Sequence, residues 1–97
     1  MVLWFGETPA ASINGNWRSL ADASAASGTL LWNPDAGAAK IAPALASPLN
    51  YFERTFAANA GTPYHIWVRM RAENDAFSND SVHIQFSDSV DSGGGAI

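Results

Sequence analysis

The amino-acid sequence predicts an all-β protein with the architecture of an antiparallel β-sandwich. Apolar and polar side chains alternate along residues 63–71 and again along residues 81–87. A period of two is typical of half-buried antiparallel strands. Short apolar runs separated by Gly, Pro and Asn, which recur along the whole chain, favour the same fold class.

The N-terminal half supplies several short predicted strands. The apolar run at residues 2–5 is the first, and turn-forming residues fill residues 7–16. Residues 17–20 and 29–32 are the next two, joined by a small polar loop. The second ends at an Asn-Pro-Asp turn signal. Residues 36–48 are rich in Ala and Pro, and Lys40 and Ile41 form the expected extended piece.

The C-terminal half supplies the longer predicted strands. Residues 50–57 form one, and the tight connection at 59–63 predicts that it pairs with the strand beginning at Tyr64. The alternation assigns a set of apolar side chains to the core: Tyr64, Ile66, Val68, Val82, Ile84 and Phe86. We divide the chain into a β-sandwich domain at residues 1–90 and a flexible Gly-rich tail at residues 91–97.

Length and composition limit the classes of function. Ninety-seven residues make one domain at most. A net charge of −4 with five Lys and Arg residues disfavours nucleic acid and anionic membranes as partners. The absence of cysteine excludes disulfides, thiolate nucleophiles and Cys-based zinc sites. No apolar run approaches the roughly 18 residues of a membrane span.

The face of the two alternating segments that points away from the predicted core carries unusual side chains. It presents Trp67 with His65 and Arg69, and His83 with Gln85. Aromatic rings stack on the apolar face of a sugar ring, and Arg and Gln supply directed hydrogen bonds. This set is the candidate ligand-binding site. The alternative is that this face, with Trp67, packs under a loop or against a missing strand or a partner.

An acidic loop precedes residues 81–87. Glu73, Asp75 and Asp80 offer the oxygen ligands that calcium prefers, so they form a candidate calcium site. The alternative is a solvated loop with Asx turns. No nucleophile, phosphate-loop or zinc motif occurs in the sequence. No carboxylate pair is singled out for glycoside hydrolysis. We therefore expect that the chain is not an enzyme.

Three sequence runs resemble a known class of module. They are Tyr-Phe-Glu-Arg-Thr-Phe at 51–56, Ala-Gly-Thr-Pro-Tyr-His-Ile-Trp-Val-Arg at 60–69 and Asn-Asp-Ser-Val-His-Ile-Gln-Phe at 79–86. Together they resemble galactose-binding-like jelly-roll domains, above all the carbohydrate-binding modules of bacterial polysaccharide-degrading enzymes and their malectin-like relatives. Glu7 and Gly28 fall near positions where such modules carry an early Glu and a Gly. The resemblance covers about two-thirds of the family's domain.

The resemblance implies a jelly-roll sandwich that lacks its C-terminal strands. It also implies a non-catalytic module that recognises polysaccharide or oligosaccharide. The apolar run at residues 1–5 is too short for a signal peptide and lacks its basic start, so we expect either a cytoplasmic protein or a domain excised from a longer secreted bacterial protein, and we favour the excised, extracellular domain. An open sheet edge would favour a homo-oligomer, with Ala96 and Ile97 carried onto a neighbour. The alternative function is a structural or assembly β-domain that self-associates without a sugar ligand.

Overall fold

The computed structural model describes residues 1–95, which form four short strands and several single 3₁₀ turns. The strands are β1 (Ile13–Asn14), β2 (Arg18–Ala21), β3 (Thr29–Trp32) and β4 (Tyr51–Phe52). The 3₁₀ turns are Phe5–Glu7, Ala10–Ser12, Glu73–Asp75 and Phe77–Asn79. The strands pair as two separate antiparallel sheets, β1 with β4 and β2 with β3.

The β2–β3 hairpin is the longest regular element. Arg18 lies opposite Trp32, and Ala21 lies opposite Thr29. The loop closes through a hydrogen bond from the Asp22 N–H to the Gly28 carbonyl at 3.0 Å. Gly28 has a φ of 81°, a left-handed conformation that favours glycine. The two strands predicted at residues 17–20 and 29–32 are therefore confirmed, the first displaced by one residue.

The β1–β4 pair brings together residues far apart in sequence. Ile13 lies opposite Phe52, and the Asn16 N–H donates to the Asn50 side-chain oxygen at 2.8 Å. Gly15 has a φ of 68°, and a Cβ there would meet the Leu49 carbonyl oxygen at 2.6 Å. A glycine is thus required both by the backbone conformation and by the close approach.

The expected pairing of the strand at Tyr51 with the strand at Tyr64 is wrong, since β4 pairs with β1. The turn at 59–62 does form, and the Thr62 N–H donates to the Asn59 carbonyl at 3.2 Å. However, the Tyr64 hydroxyl accepts a hydrogen bond from the Asn59 N–H at 2.9 Å. The tight turn is therefore closed by a side chain and is not followed by a strand ladder.

Residues 63–71 and 81–87, both predicted as strands, belong to neither sheet. The connection between them is fastened to the chain just after β3. The Asp35 N–H donates to the Glu73 carboxylate at 2.9 Å, and the Asn79 side chain donates to the Asn33 carbonyl at 3.1 Å. These bonds attach both ends of the connection to residues 33–35. No tight turn therefore sets a register between residues 63–71 and 81–87.

Aromatic side chains make the main packing contacts around β4. The Phe52 ring packs edge-to-face on Phe5 and on Trp17, with centroid distances of 5.1 and 5.0 Å. The first strand expected at residues 2–5 is replaced by the 3₁₀ turn at Phe5–Glu7, where Gly6 lies directly against the Thr29 carbonyl. Thr8 is buried, and its hydroxyl donates to the Phe5 carbonyl at 2.6 Å.

The core predicted from the alternation is wrong. Tyr64, Ile66, Val82, Ile84 and Phe86 are exposed, and Val68 is half-buried. Within residues 1–95, no apolar side chain is fully removed from solvent. The accessible surface is 7945 Å², whereas a folded monomer of this size exposes roughly 5,400 Å². The all-β class holds at the level of two small antiparallel sheets, and the sandwich remains a prediction.

The Gly-rich tail forms a turn where it is described. The Asp91 carboxylate accepts hydrogen bonds from the Gly93 and Gly95 N–H groups at 2.8 and 2.9 Å. The Asp91 N–H donates to the Gly95 carbonyl at 2.7 Å. The expected contact of Ala96 and Ile97 with a neighbour lies outside the described residues. No helix in residues 1–95 has the length and apolar character needed to cross a bilayer.

Candidate functional site

Trp67 is the most exposed large apolar side chain in the described chain, with 92% of its surface accessible. His65 and Arg69, two residues before and after it, are also exposed. An indole ring that covers no part of its own protein is available to stack on a ligand or a partner. The alternative of packing under a loop of the same chain is not realised in residues 1–95.

Arg69 and Arg71 contact the tip of the β2–β3 hairpin. The Arg69 guanidinium donates to the Ser24 carbonyl at 3.2 Å. The Arg71 guanidinium lies 3.8 Å from the Asp22 carboxylate. Both contacts are solvent-exposed, so each contributes little to stability. Their effect is to position residues 69–71 beside the hairpin tip and leave Trp67 free.

His83 and Gln85 contact a different part of the chain. The His83 Nε2 lies 3.1 Å from the Ile41 carbonyl oxygen, which only accepts, so Nε2 carries the proton. The Gln85 amide donates to the Leu45 carbonyl at 2.8 Å. Gln85 also lines a groove of about 390 Å³, shared with Ala44, Leu45, Ala46, Ile84, Phe86 and Ser89.

The five candidate ligand-binding residues therefore fall into two sets within one chain. Trp67, His65 and Arg69 lie on the segment beside the hairpin tip, and His83 and Gln85 lie against residues 41–45. No side-chain hydrogen bond within residues 1–95 joins one set to the other. The segment that carries Trp67 and the Gln85 amide thus contact different parts of the chain.

The hairpin loop lowers the pKa of the Asp22 carboxyl. Hydrogen bonds from the Ser24 hydroxyl and from the Ser24 N–H, at 2.6 and 2.8 Å, lower the Asp22 pKa below its usual value of 3.8. The charge of Arg71 acts in the same direction and is the smallest cause. The carboxylate thereby orders the hairpin loop that Arg69 and Arg71 contact.

We expect Ser24→Ala to raise the Asp22 pKa back towards 3.8, measured by NMR titration of the side-chain carboxyl. Because the folded pKa is lowered, the stabilisation is complete above the usual value and is lost as the pH falls through the folded pKa. Arg71→Gln is the matched control and should shift the pKa less. An Asp22 pKa that does not respond to Ser24→Ala would contradict this account of the loop.

The candidate calcium residues lie on and after the 3₁₀ turn at Glu73–Asp75. The Glu73 carboxylate accepts a hydrogen bond from the Asp35 N–H, and Asp75 has a φ of 56°. Across residues 1–95, no group of three or more acidic or imidazole side chains is placed to hold a metal ion. Glu73, Asp75 and Asp80 are thus not gathered into a ligand set.

A polar cleft near β4 escaped the sequence-based prediction. It measures about 360 Å³ and is lined by Glu7, Pro9, Ser12, Glu53, Arg54 and Thr55. Two carboxylates and a guanidinium in one cleft are suited to hydrogen bonding with hydroxyl groups. The sequence contains no periodic pattern that links Glu7 to Glu53. The two residues come together because β1 pairs with β4.

Comparison with known proteins identifies no relative. No protein-family model, no curated protein and no solved structure matches this chain. The functional argument therefore rests on the site itself.

Proposed function

We propose that this chain is a non-catalytic carbohydrate-binding module that recognises polysaccharide or oligosaccharide through Trp67 and the polar side chains beside it. The observation that carries the proposal is the 92% exposure of Trp67 between the exposed side chains of His65 and Arg69. A planar ring flanked by directed hydrogen-bond donors matches the two surfaces of a pyranose, one apolar and one edged by hydroxyl groups.

The resemblance of residues 51–86 to galactose-binding-like jelly-roll modules supports the same class of ligand. The extracellular location belongs to this proposal, because modules of that kind act on polysaccharide outside the cell. The site offers a single aromatic ring, so affinity for an isolated sugar is expected to be weak.

Titration calorimetry against plant and bacterial polysaccharides tests the proposal. We expect binding to at least one polysaccharide, accompanied by a change in Trp fluorescence. Folded protein is verified beforehand by a cooperative thermal transition. A folded sample that binds none of the panel would refute the sugar-binding function.

A second candidate function, self-association as a structural β-domain without a sugar ligand, is favoured by a separate observation. The chain exposes 7945 Å² and its radius of gyration is 14.8 Å. A compact domain of this length has a radius of gyration of about 12.5 Å. A surplus of exposed apolar surface is characteristic of proteins that bury it in an assembly. Self-association with no response to any sugar would favour this second function.

A further inference from the structure

Residues 63–71 and 81–87 have the sequence pattern of strands but no strand partner. No backbone–backbone hydrogen bond joins either segment to any residue from 1 to 95. The contacts of Arg69, His83 and Gln85 are made by side chains. Within residues 1–95, the one hydrogen-bonded backbone group of the two segments is the Phe86 carbonyl, which accepts from the Ser89 hydroxyl at 3.2 Å. Unpaired backbone along an alternating segment is a template for pairing with another chain.

The two segments fit each other in one antiparallel register. With Tyr64 opposite Phe86, every apolar residue of the first segment up to Val68 faces an apolar residue of the second. The resulting apolar pairs are Tyr64 with Phe86, Ile66 with Ile84, and Val68 with Val82. Directly opposed β-branched and aromatic pairs are the unit of sheet stabilisation.

The same register assembles the candidate sugar-binding face. His65 lies opposite Gln85, and Trp67 lies opposite His83. Arg69 lies opposite Ser81, whereas Asp80 lies opposite Met70 on the other face. Pairing of these segments would therefore place the two residue sets directly opposite each other on one face.

Within one chain, the hydrogen bonds of Glu73 and Asn79 to residues 33–35 fasten the connection between the segments away from a hairpin turn. A second copy of the chain supplies the same two segments without that constraint. The accessible surface of 7945 Å² exceeds that of a compact monomer by roughly 2,500 Å². Obligate dimers bury about 1,000–2,500 Å² per partner, so the surplus is sufficient for a stable interface.

We propose that two copies of this chain form a closed dimer in which residues 63–71 of each copy pair with residues 81–87 of the other. Each sugar-binding face is then shared, with Trp67, His65 and Arg69 from one copy and His83 and Gln85 from its partner. The inference rests on the proposed sugar-binding function for the role of this face. The pairing itself rests only on the unpaired segments, the register and the exposed area.

Cysteine cross-linking tests the pairing without any sugar. The natural sequence has no cysteine, so the double variant Ile66→Cys/Ile84→Cys carries two thiols only. Directly opposed positions on antiparallel strands lie close enough for a disulfide. We expect mild oxidation to give a covalent dimer on a non-reducing gel. Ile66→Cys/His83→Cys is the control, because its thiols lie on opposite faces and should not cross-link in the dimer.

Each outcome of the cross-linking decides the proposal. An oxidised variant that stays monomeric with its thiols consumed has paired the segments within one chain, which overturns the exchange. Free thiols after oxidation overturn the register. Ile66 and Ile84 are 57% and 49% exposed, so their replacement should leave the fold intact. Sedimentation equilibrium of the natural chain provides an independent check, since a monomer mass at micromolar concentration would overturn the dimer.

Complementation tests whether the face is shared. Trp67→Ala and His83→Ala/Gln85→Ala should each bind sugar weakly alone. When they are mixed in equal amounts and allowed to exchange, half of the dimers are mixed and each of these holds one intact face. About a quarter of all sites should therefore recover. If the cysteine variant cross-links as a dimer but the mixed variants recover no sugar binding, each sugar-binding face lies within one chain. No sugar binding by the natural protein would refute the proposed function and leave the pairing result standing.

Discussion

Replacing Trp67 with alanine is expected to lower sugar affinity about tenfold or more while leaving the melting temperature nearly unchanged. An aromatic stacking contact is worth about 0.5–1.5 kcal/mol beyond the apolar area that it buries, and about 1.4 kcal/mol corresponds to a factor of ten in affinity. The melting temperature should stay nearly unchanged, because the Trp67 side chain is 92% exposed and buries little area within its own chain.

Phe77→Ala is the matched control for this substitution. Phe77 is 86% exposed but begins the 3₁₀ turn at Phe77–Asn79, away from the predicted face. Its removal should change neither sugar affinity nor melting temperature. The measurements are titration calorimetry against the polysaccharide that binds best and a thermal melt of each variant. A melting temperature that falls by several degrees in Trp67→Ala would instead assign Trp67 to a packed interface.

Phe52→Ala is expected to reduce the free energy of unfolding by about 2–3 kcal/mol, below the roughly 3–5 kcal/mol typical of truncating a buried aromatic side chain, because Phe52 is only half-buried. The ring makes edge-to-face contacts with both Phe5 and Trp17, and β4 carries it into register with Ile13. Its loss therefore weakens the aromatic cluster and the β1–β4 pairing together.

Urea denaturation at a fixed protein concentration measures the effect, with Phe52→Leu as the control that keeps apolar volume but removes the aromatic ring. We expect Phe52→Leu to lose less than Phe52→Ala. The concentration must be held constant, because dimerisation would add to the apparent stability. Equal stability of Phe52→Ala and the natural protein would mean that the aromatic cluster does not hold the N-terminal part together.

Trp67→Ala and Phe52→Ala act on two tryptophans that lie in different environments. Trp17 packs on Phe52 with a centroid distance of 5.0 Å, whereas Trp67 is open to solvent. Fluorescence that reports on sugar binding should therefore come from Trp67, and the packed Trp17 should contribute to the fluorescence change on unfolding. Composition alone does not distinguish the two residues, since both are tryptophans in apparent strand segments.

The sequence grouped five candidate residues into a ligand-binding site, and their role in binding stays a prediction. The exposure of His65, Trp67 and Arg69 was predicted from the alternation of residues 63–71, but Tyr64 and Ile66 of the expected core face are exposed as well, so alternation is not its cause. The hydrogen bonds of His83 and Gln85 to the carbonyls of residues 41–45 were not predictable, because the Ala- and Pro-rich segment carries no pairing signal. The cleft between Glu7 and Glu53 depends on a strand pairing that the sequence pattern assigned elsewhere.

By itself the sequence determined the local features of this protein: the β2–β3 hairpin, the end of β3 before Asn33-Pro34, the turn at 59–62 and the low basic charge. Each depends on neighbouring residues, whose conformational preferences are short-ranged. Only the tertiary structure decided that β4 pairs with β1 and that residues 63–71 and 81–87 form no backbone ladder with any residue from 1 to 95. An alternating segment fits several strand edges equally well. The edge it meets is set by long-range bonds such as that from Asn16 to Asn50, which periodicity does not encode.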